Sequence, residues 1–554
     1  MAKNKNTFFL IFILFLASLL RLWGIGSVPP GLFGDEVDTG YQAFSILNTG
    51  KDYFGNFLPV HFQSFGDWRV PLYIYLDTVF VAIFGLNEIA VRLPAALLGV
   101  LGVMLAYFLS KKISGDNKIA LVSALLLAIS PWHIQISRIG LEAIFLPVLF
   151  PLGLIFLWKG ITEKKSSIPF LLSGVFFGLT LYSYNTPKLF LPLILFILFA
   201  VWFKEIFKLR RKFVIFIITL VLISMPLAAD LIKGTGQARF LGISIFSDST
   251  VAERVRFARQ NSTEGFLTKI IHNKVTVWSG DFVNNYLSSF STEFLFLKGD
   301  PNPRHSIGGR GEMYLFELPF LLIGLGIFFL KAFKEKDKFS QLLISWIIIS
   351  PISAALTIGG GTHAIRLFHL LPWFQIVTAS GIIIVWNYFG SRRRKLIFSF
   401  CFVTVVLVSC GLYLHDYFIH YPKISGRWWN YGYREIFTYI NFNQDKYDKI
   451  YMSPSWEPST VYTLFYSKYP PKAVQAEIVP SVNKIGKYYF YPPNLDELKK
   501  GNLEKRVLYV LNPAELKVFG IDVESNHALK VISNIYAPDG SPAFVMLTGN
   551  DVVN

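Results

Sequence analysis

Long apolar runs recur along this sequence and restrict it to few fold classes. The runs contain roughly 17 to 23 residues, the length that an α-helix needs to cross the hydrocarbon core of a bilayer. Only 16% of the 554 residues are charged, whereas soluble globular chains carry about a quarter. The sequence therefore predicts a polytopic α-helical membrane protein. About eleven transmembrane helices are predicted, at 7–24, 90–110, 118–131, 142–158, 168–183, 188–203, 213–229, 314–331, 339–357, 366–388 and 396–414.

The basic residues lie in short clusters between the apolar runs. Such clusters are typical of cytoplasmic loops, so the net charge of +17 needs no nucleic-acid partner. The stretch 71–84 is apolar but is interrupted by Asp77, and an interfacial helix there keeps every basic cluster on one side. We therefore predict a multi-pass plasma-membrane protein with a cytoplasmic N terminus, its first helix retained as an anchor, and an extracytoplasmic C-terminal domain.

Two domains are predicted from the distribution of apolar and polar segments. Residues 1–414 form the transmembrane domain, with outer loops at about 25–91 and 230–313, and residues 415–554 form a small extracytoplasmic α/β domain. Its short apolar strands are predicted at 449–452 and 506–511, its helices at 433–441 and 459–466, and a closing hairpin at 528–533 and 543–547. Long loops are usually functional or disordered. The outer loops of this chain are rich in aromatic residues, glycine and proline, so we expect them to be ordered.

Three acidic residues follow the first predicted span: Asp35, Glu36 and Asp38. Apolar residues at helical spacing come next, and the pattern ends at Gly50. Asp35 would then be the N-cap or close to it, and helix capping alone accounts for acids at this position. Three carboxylates just outside the bilayer exceed what capping requires, so a catalytic role stays open beside the structural one.

The segment Gly34-Asp35-Glu36 resembles the start of the first outer loop in C-type glycosyltransferases, membrane enzymes that use polyprenyl-phosphate sugars. Residues 69–73, Arg-Val-Pro-Leu-Tyr, are similar to an element late in the same loop. Residues 84–88 and 92–97 are similar to the element that leads into the second span. In order and spacing these segments resemble protein O-mannosyltransferases and the bacterial aminoarabinose transferases that act on lipid A. The resemblance is strong over 1–160, looser to 414 and weak beyond it.

This resemblance implies roles for individual residues. Asp35 corresponds to the catalytic base, and Glu36 corresponds to its usual acidic neighbour. Arg69 corresponds to the basic residue that contacts the donor phosphate, although Val70 stands where relatives have a proline. Glu142 falls where relatives carry a second acid, often an aspartate.

Other cations are expected at the headgroup level, where the donor phosphate lies. Arg138 is one candidate, and the alternative is that it pairs with Glu142, four residues later, on one helix face. Arg366 follows three glycines and is predicted to open a helix, where anions bind favourably. Lys188 is a further candidate, although basic residues at helix ends commonly reach the headgroups without binding a ligand.

Asp300, His305 and His363 complete the set of candidate site residues. Asp300 and His305 carry groups that bind metals, but they lack a third ligand at a recognisable spacing. The sequence therefore predicts no metal site, although a divalent metal cofactor stays open. A turn-rich loop that closes over the site is the preferred interpretation.

These residues favour an inverting glycosyltransferase. Transfer of a sugar from a phosphate to a hydroxyl needs a base for the proton and cations for the leaving phosphate. The expected partners are a polyprenyl-phosphate-linked sugar, membrane lipids and a protein, lipid or glycan acceptor; the sugar itself stays open. The alternative is a polytopic transporter or a lipid or glycan flippase, whose signature would be internal repeats and charges at the bilayer midplane.

Overall fold

The computed structural model describes residues 2–65, 68–163, 166–232, 242–453, 458–477, 483–491, 493, 504–518, 520 and 529–549. The chain divides into two compact units. One unit comprises Met1–Trp23, Ala95–Ser137 and Glu142–Leu414, and the other comprises Gly24–Pro94, Arg138–Leu141 and His415–Asn554. The first outer loop thus belongs to the same unit as the C-terminal region, because both contribute side chains to one apolar core.

The first unit is built of helices. Its α-helices, with two that continue into the other unit, are Ala2–Leu22, Glu88–Ser114, Asn117–Ile129, Pro131–Ser137, Leu146–Glu163, Ile168–Thr180, Pro187–Val201, Phe203–Lys208, Arg210–Ile232, Val251–Gln260, Phe266–Ile271, Lys274–Ser288, Glu317–Phe333, Lys338–Ala355, Trp373–Tyr388 and Arg392–His415. Short 3-10 helices occur at Glu142–Phe145, Ile245–Ser247, Gly360–Thr362 and Phe368–Leu370, and a π-helix occurs at Glu293–Leu297.

Helices occupy all eleven predicted spans, but eleven crossings are not confirmed. Among the described residues, seven helices are long and apolar enough to cross a membrane. An eighth results if Asn117–Ile129 and Pro131–Ser137, bent by 58°, form one span. The stretch predicted to lie in the interface forms the 13-residue helix Leu72–Phe84, whose length of about 20 Å is short of the hydrocarbon core. Large apolar side chains are exposed on these helices; Phe400, for example, is 74% exposed. Such exposure is expected of helices that face lipid in an integral membrane protein.

The second unit combines short helices with a mixed β-sheet. Its helices are Gly34–Thr49, Leu72–Phe84, Tyr421–Ser425, Tyr433–Phe442, Ser459–Tyr466, Pro471–Glu477 and Pro513–Val518, with a π-helix at Asp416–His420 and a 3-10 helix at Gln444–Lys446. A two-stranded sheet pairs Phe62–Gln63 with Trp68–Arg69.

The larger sheet has six described strands. Their order is Lys484–Ile485, Tyr488–Tyr489, Lys449–Met452, Val507–Leu511, Pro542–Gly549 and Leu529–Tyr536. The two strands predicted at 449–452 and 506–511 lie side by side and parallel, and the last two form an antiparallel pair. Every residue of Val507–Leu511 is buried, as expected of a strand covered on both faces. Ala528, where the predicted hairpin begins, lies outside the described residues.

Helix Gly34–Thr49 is held firmly within the second unit. Tyr41 is fully buried, and its hydroxyl donates a hydrogen bond to the carbonyl of Tyr469 at 2.8 Å. Gly40 permits a close approach, since a Cβ atom there would meet the ring of Phe465 at 2.6 Å. The helix that carries the acidic residues therefore rests on the C-terminal part of its own unit.

Candidate functional site

The acidic residues lie in the first turn of helix Gly34–Thr49. Its N-cap is Phe33 and Asp35 is its second residue, so Asp35 lies close to the N-cap rather than at it. At the other end, Gly50 has a left-handed backbone with φ of 68°, as the sequence predicts. One tertiary contact of Asp35 is its ion pair with Arg69.

Arg69 joins two of the three acidic residues. It lies on strand Trp68–Arg69, and its Nη2 donates to Asp35 Oδ1 at 2.7 Å. Its Nε donates to Asp38 Oδ2, and the Tyr53 hydroxyl donates to Asp38 Oδ1 at 2.5 Å. The Asp38 side chain is only 2% exposed, whereas that of Asp35 is 39% exposed. Asp35 is thus the accessible carboxylate of a largely buried charged group.

The environment of Asp38 suits a structural acceptor. Burial raises the pKa of its carboxyl group, and the Arg69 guanidinium and the Tyr53 hydroxyl act in the opposite direction. Burial, with the nearby Asp38, raises the pKa of Tyr53 well above its usual value of 10.0. Tyr53 therefore stays a hydrogen-bond donor, and Asp38 holds Arg69 beside Asp35.

Glu36 forms a separate ion pair with Arg92, and neither side chain is exposed to solvent. Arg92 Nε donates to Glu36 Oε1 at 2.8 Å, and its Nη2 donates to Oε2 at 3.0 Å. The backbone N–H of Gly140 donates to Oε1 at 2.8 Å. Arg92 also donates to the carbonyls of Ile25 and Pro29. Glu36 therefore connects three segments of the unit and has no access to solvent.

Arg138 and Glu142 lie on different elements. Helix Pro131–Ser137 ends before Arg138, and Glu142 begins the 3-10 helix Glu142–Phe145. The two residues therefore do not lie on one face of a single helix. Arg138 is fully buried, and its guanidinium lies over the rings of Tyr417 and Phe418, with centroid distances of 5.4 and 5.1 Å.

A second group of candidates meets within the first unit. Asp300, His305 and His363 form what we call the His–Asp cluster. His305 Nδ1 lies 2.8 Å from Asp300 Oδ2, and the backbone N–H of Ala364 donates to the same oxygen at 2.8 Å. Burial and the nearby Asp300 carboxylate raise the pKa of Glu312, whose Oε1 accepts the N–H of Asp300. His363 is the third possible metal ligand beside Asp300 and His305, and it lies far from them in the sequence.

The remaining cations, Arg366 and Lys188, belong to the same unit. Arg366 lies between the 3-10 helices Gly360–Thr362 and Phe368–Leu370, so the prediction that it opens a helix is wrong. Its Nη1 donates to Thr357 Oγ1 at 2.5 Å. Lys188 is in the first turn of Pro187–Val201, and its Nζ donates to Asn185 Oδ1 at 2.8 Å.

Comparison with known sequences matches part of the chain. Residues 69–228 match the family described as dolichyl-phosphate-mannose-protein mannosyltransferase. An uncharacterized protein from Aquifex aeolicus (strain VF5) is 31% identical over 126 residues. That alignment covers 23% of this chain and spans a quarter, 25%, of the relative.

Solved structures match nearly the whole chain. ArnT from Cupriavidus metallidurans, in the crystal structure bound to undecaprenyl phosphate, has a TM-score of 0.53 and 13% identity over 100% of this chain and 99% of that chain. The Archaeoglobus fulgidus oligosaccharyltransferase, tethered with an acceptor peptide, has a TM-score of 0.51 and 14% identity over 89% of this chain and 61% of that chain. The fold is thus shared at low identity. Together with the family match, these structures confirm that the chain resembles C-type membrane glycosyltransferases that use polyprenyl-phosphate sugars.

Proposed function

We propose that this protein transfers a sugar from a polyprenyl phosphate to an acceptor hydroxyl on the outer face of the membrane, with inversion at the anomeric carbon. The observation that carries the proposal is the arrangement around Asp35. Its carboxylate is 39% exposed and is oriented by Arg69, while the neighbouring Asp38 and Glu36 are buried and engaged in ion pairs. A general base needs this combination of access and fixed orientation.

The proposed reaction is a single displacement. The acceptor oxygen attacks the anomeric carbon, the bond from that carbon to the phosphate oxygen breaks, and the acceptor proton passes to Asp35. Attack from the face opposite the leaving phosphate inverts the configuration. Glu36 supports the base indirectly, because its ion pair with Arg92 fixes the first turn of the helix. Glu142 is retained as the candidate second acid.

Cations are required for the leaving phosphate. The candidates for this role are Arg69 and Arg138 in the unit that carries Asp35, and Lys188 and Arg366 in the other unit. Arginine suits the task because its planar guanidinium can bind two phosphate oxygens at once. Polyprenyl phosphate is the matching donor carrier, since its phosphate lies at the headgroup level of the membrane.

Replacement of Arg366 by alanine is expected to weaken binding of undecaprenyl phosphate by about tenfold to a hundredfold, because a charge-assisted hydrogen bond contributes about 1.5–3 kcal/mol. Native mass spectrometry or a competition assay measures the affinity. The matched control is Arg254→Ala, which removes an arginine paired with Asp281 in the same unit and should leave affinity unchanged. Equal affinities for parent and Arg366→Ala would place the phosphate elsewhere.

Membrane orientation gives a separate prediction. In a variant without native cysteines, Glu264→Cys and Thr438→Cys should react with an impermeant maleimide added from outside. Ser391→Cys, beside the basic residues 392–395, should react only after the membrane is permeabilised. All three positions are exposed side chains, so lack of labelling reports membrane side rather than burial. The reverse pattern would place the catalytic loop in the cytoplasm and contradict the proposal.

A further inference from the structure

Two loops of the first unit bring together side chains that bind metals. One loop carries Asp300 and His305, and the other carries His363 just before Arg366. One ligand atom from each residue of the His–Asp cluster lies within 4.8 Å of the others. The side chains of Asp300, His305 and His363 are 4%, 11% and 21% exposed. The cluster is therefore shielded but retains an opening to solvent.

The two histidines lie at different distances from the Asp300 carboxylate. Asp300 Oδ2 is 2.8 Å from His305 Nδ1 but 4.0 Å from His363 Nδ1, which is beyond hydrogen-bond length. The two imidazole rings nevertheless approach to a centroid distance of 4.7 Å. A zinc ion with bonds of about 2.0–2.2 Å holds tetrahedral ligands about 3.4 Å apart. The two distances to Asp300 Oδ2, 2.8 and 4.0 Å, lie on either side of this value, and all three ligand atoms lie within 4.8 Å of one another.

The carboxylate at the centre is held in place by the backbone. Asp300 Oδ1 accepts the N–H of Asn302 at 2.8 Å, and its Oδ2 accepts the N–H of Ala364 at 2.8 Å. The N–H of Asp300 donates to the buried Glu312 at 2.9 Å. Metal ligands are commonly oriented by such outer hydrogen bonds, which reduce the reorganisation needed on binding.

We propose that Asp300, His305 and His363 bind one divalent transition-metal ion, with Zn²⁺ as the best match. Two imidazole nitrogens and one carboxylate oxygen are a ligand set that suits zinc, and three protein ligands leave a fourth position for water. The ion would join the two loops and fix the segment that carries Arg366. This inference goes beyond the proposed function and holds whichever sugar is transferred.

The test is the metal content of the purified full-length chain, measured by mass spectrometry after Zn²⁺ loading and removal of free ions. We expect about one zinc per chain, and its loss in His305→Ala and His363→Ala. The matched control is His420→Ala, in the more exposed group of His415, Asp416 and His420. That variant should retain the zinc. A parent chain without stoichiometric zinc, or variants that all retain it, would overturn the inference.

The melting temperature of the parent protein gives a second test, which does not depend on whether the variants fold. Removal of zinc by a chelator should lower the melting temperature, and added Zn²⁺ should restore it, because an ion that binds only the folded state stabilises it. An unchanged melting temperature would contradict the proposed joining of the two loops. Asp35→Asn should retain zinc even if it loses transfer, so failure of the metal site and failure of the proposed function are distinguishable.

Discussion

Asparagine in place of Asp35 is expected to reduce the rate of sugar transfer by about a hundredfold or more, the usual contribution of a general base. The amide cannot take the acceptor proton, although its oxygen can still accept a hydrogen bond from Arg69. Phe33 is the N-cap, and asparagine has nearly the same size and shape as aspartate, so we expect the first turn of the helix to be retained. Folding and donor binding should therefore persist. The measurement is the initial rate of polyprenyl phosphate release.

Asp38→Asn is the matched comparison, since it lies one turn along the same helix and contacts the same arginine. Its side chain is 2% exposed, so we expect a loss of stability with a smaller loss of transfer rate than for Asp35→Asn. Equal rate losses in the two variants would mean that both act through Arg69. In that case Asp35 would not be the base.

Among the substitutions considered, loss of the buried ion pair between Arg92 and Glu36 is expected to lower the free energy of unfolding most. Arg92→Ala leaves the Glu36 carboxylate buried and without its main partner, which is expected to cost about 3–5 kcal/mol. Denaturation in detergent measures the change. The comparison is Arg434→Ala, whose side chain is 43% exposed and pairs with Glu88; there we expect about 1 kcal/mol or less.

A double substitution separates the charge from the packing. Arg92→Met combined with Glu36→Gln removes both charges and should recover part of the stability lost in Arg92→Ala. If Arg92→Ala is no more destabilising than Arg434→Ala, then the buried pair does not fix the first turn of the helix. Glu36 would then need another role in the proposed mechanism.

Local patterns predicted the helices well but not the partners of the acidic residues. Apolar spacing placed the helix that ends at Gly50, because this information lies within one segment. The pairing of Asp38 with Arg69 and of Glu36 with Arg92 depends on tertiary packing between distant segments. Neither pair could be read from sequence spacing.

The prediction of a helix start at Arg366 was wrong because turns occupy this segment. A helix was expected to open at Arg366, but Gly359 has a left-handed backbone and two 3-10 turns follow. The long helix begins at Trp373, directly after Pro372, because proline is disfavoured inside a helix. The same loop brings His363 to Asp300, a contact that the sequence spacing does not suggest.

The most direct test of the central claim is reconstitution of the purified chain in liposomes with polyprenyl-phosphate sugars and a membrane extract that supplies acceptors. We expect release of polyprenyl phosphate, appearance of the sugar on an acceptor with inverted anomeric configuration, and loss of both with Asp35→Asn. Mass spectrometry of the lipid and magnetic resonance of the product report these outcomes. An Asp35→Asn protein that binds donor and transfers sugar at the parent rate would contradict the role of Asp35 as the general base.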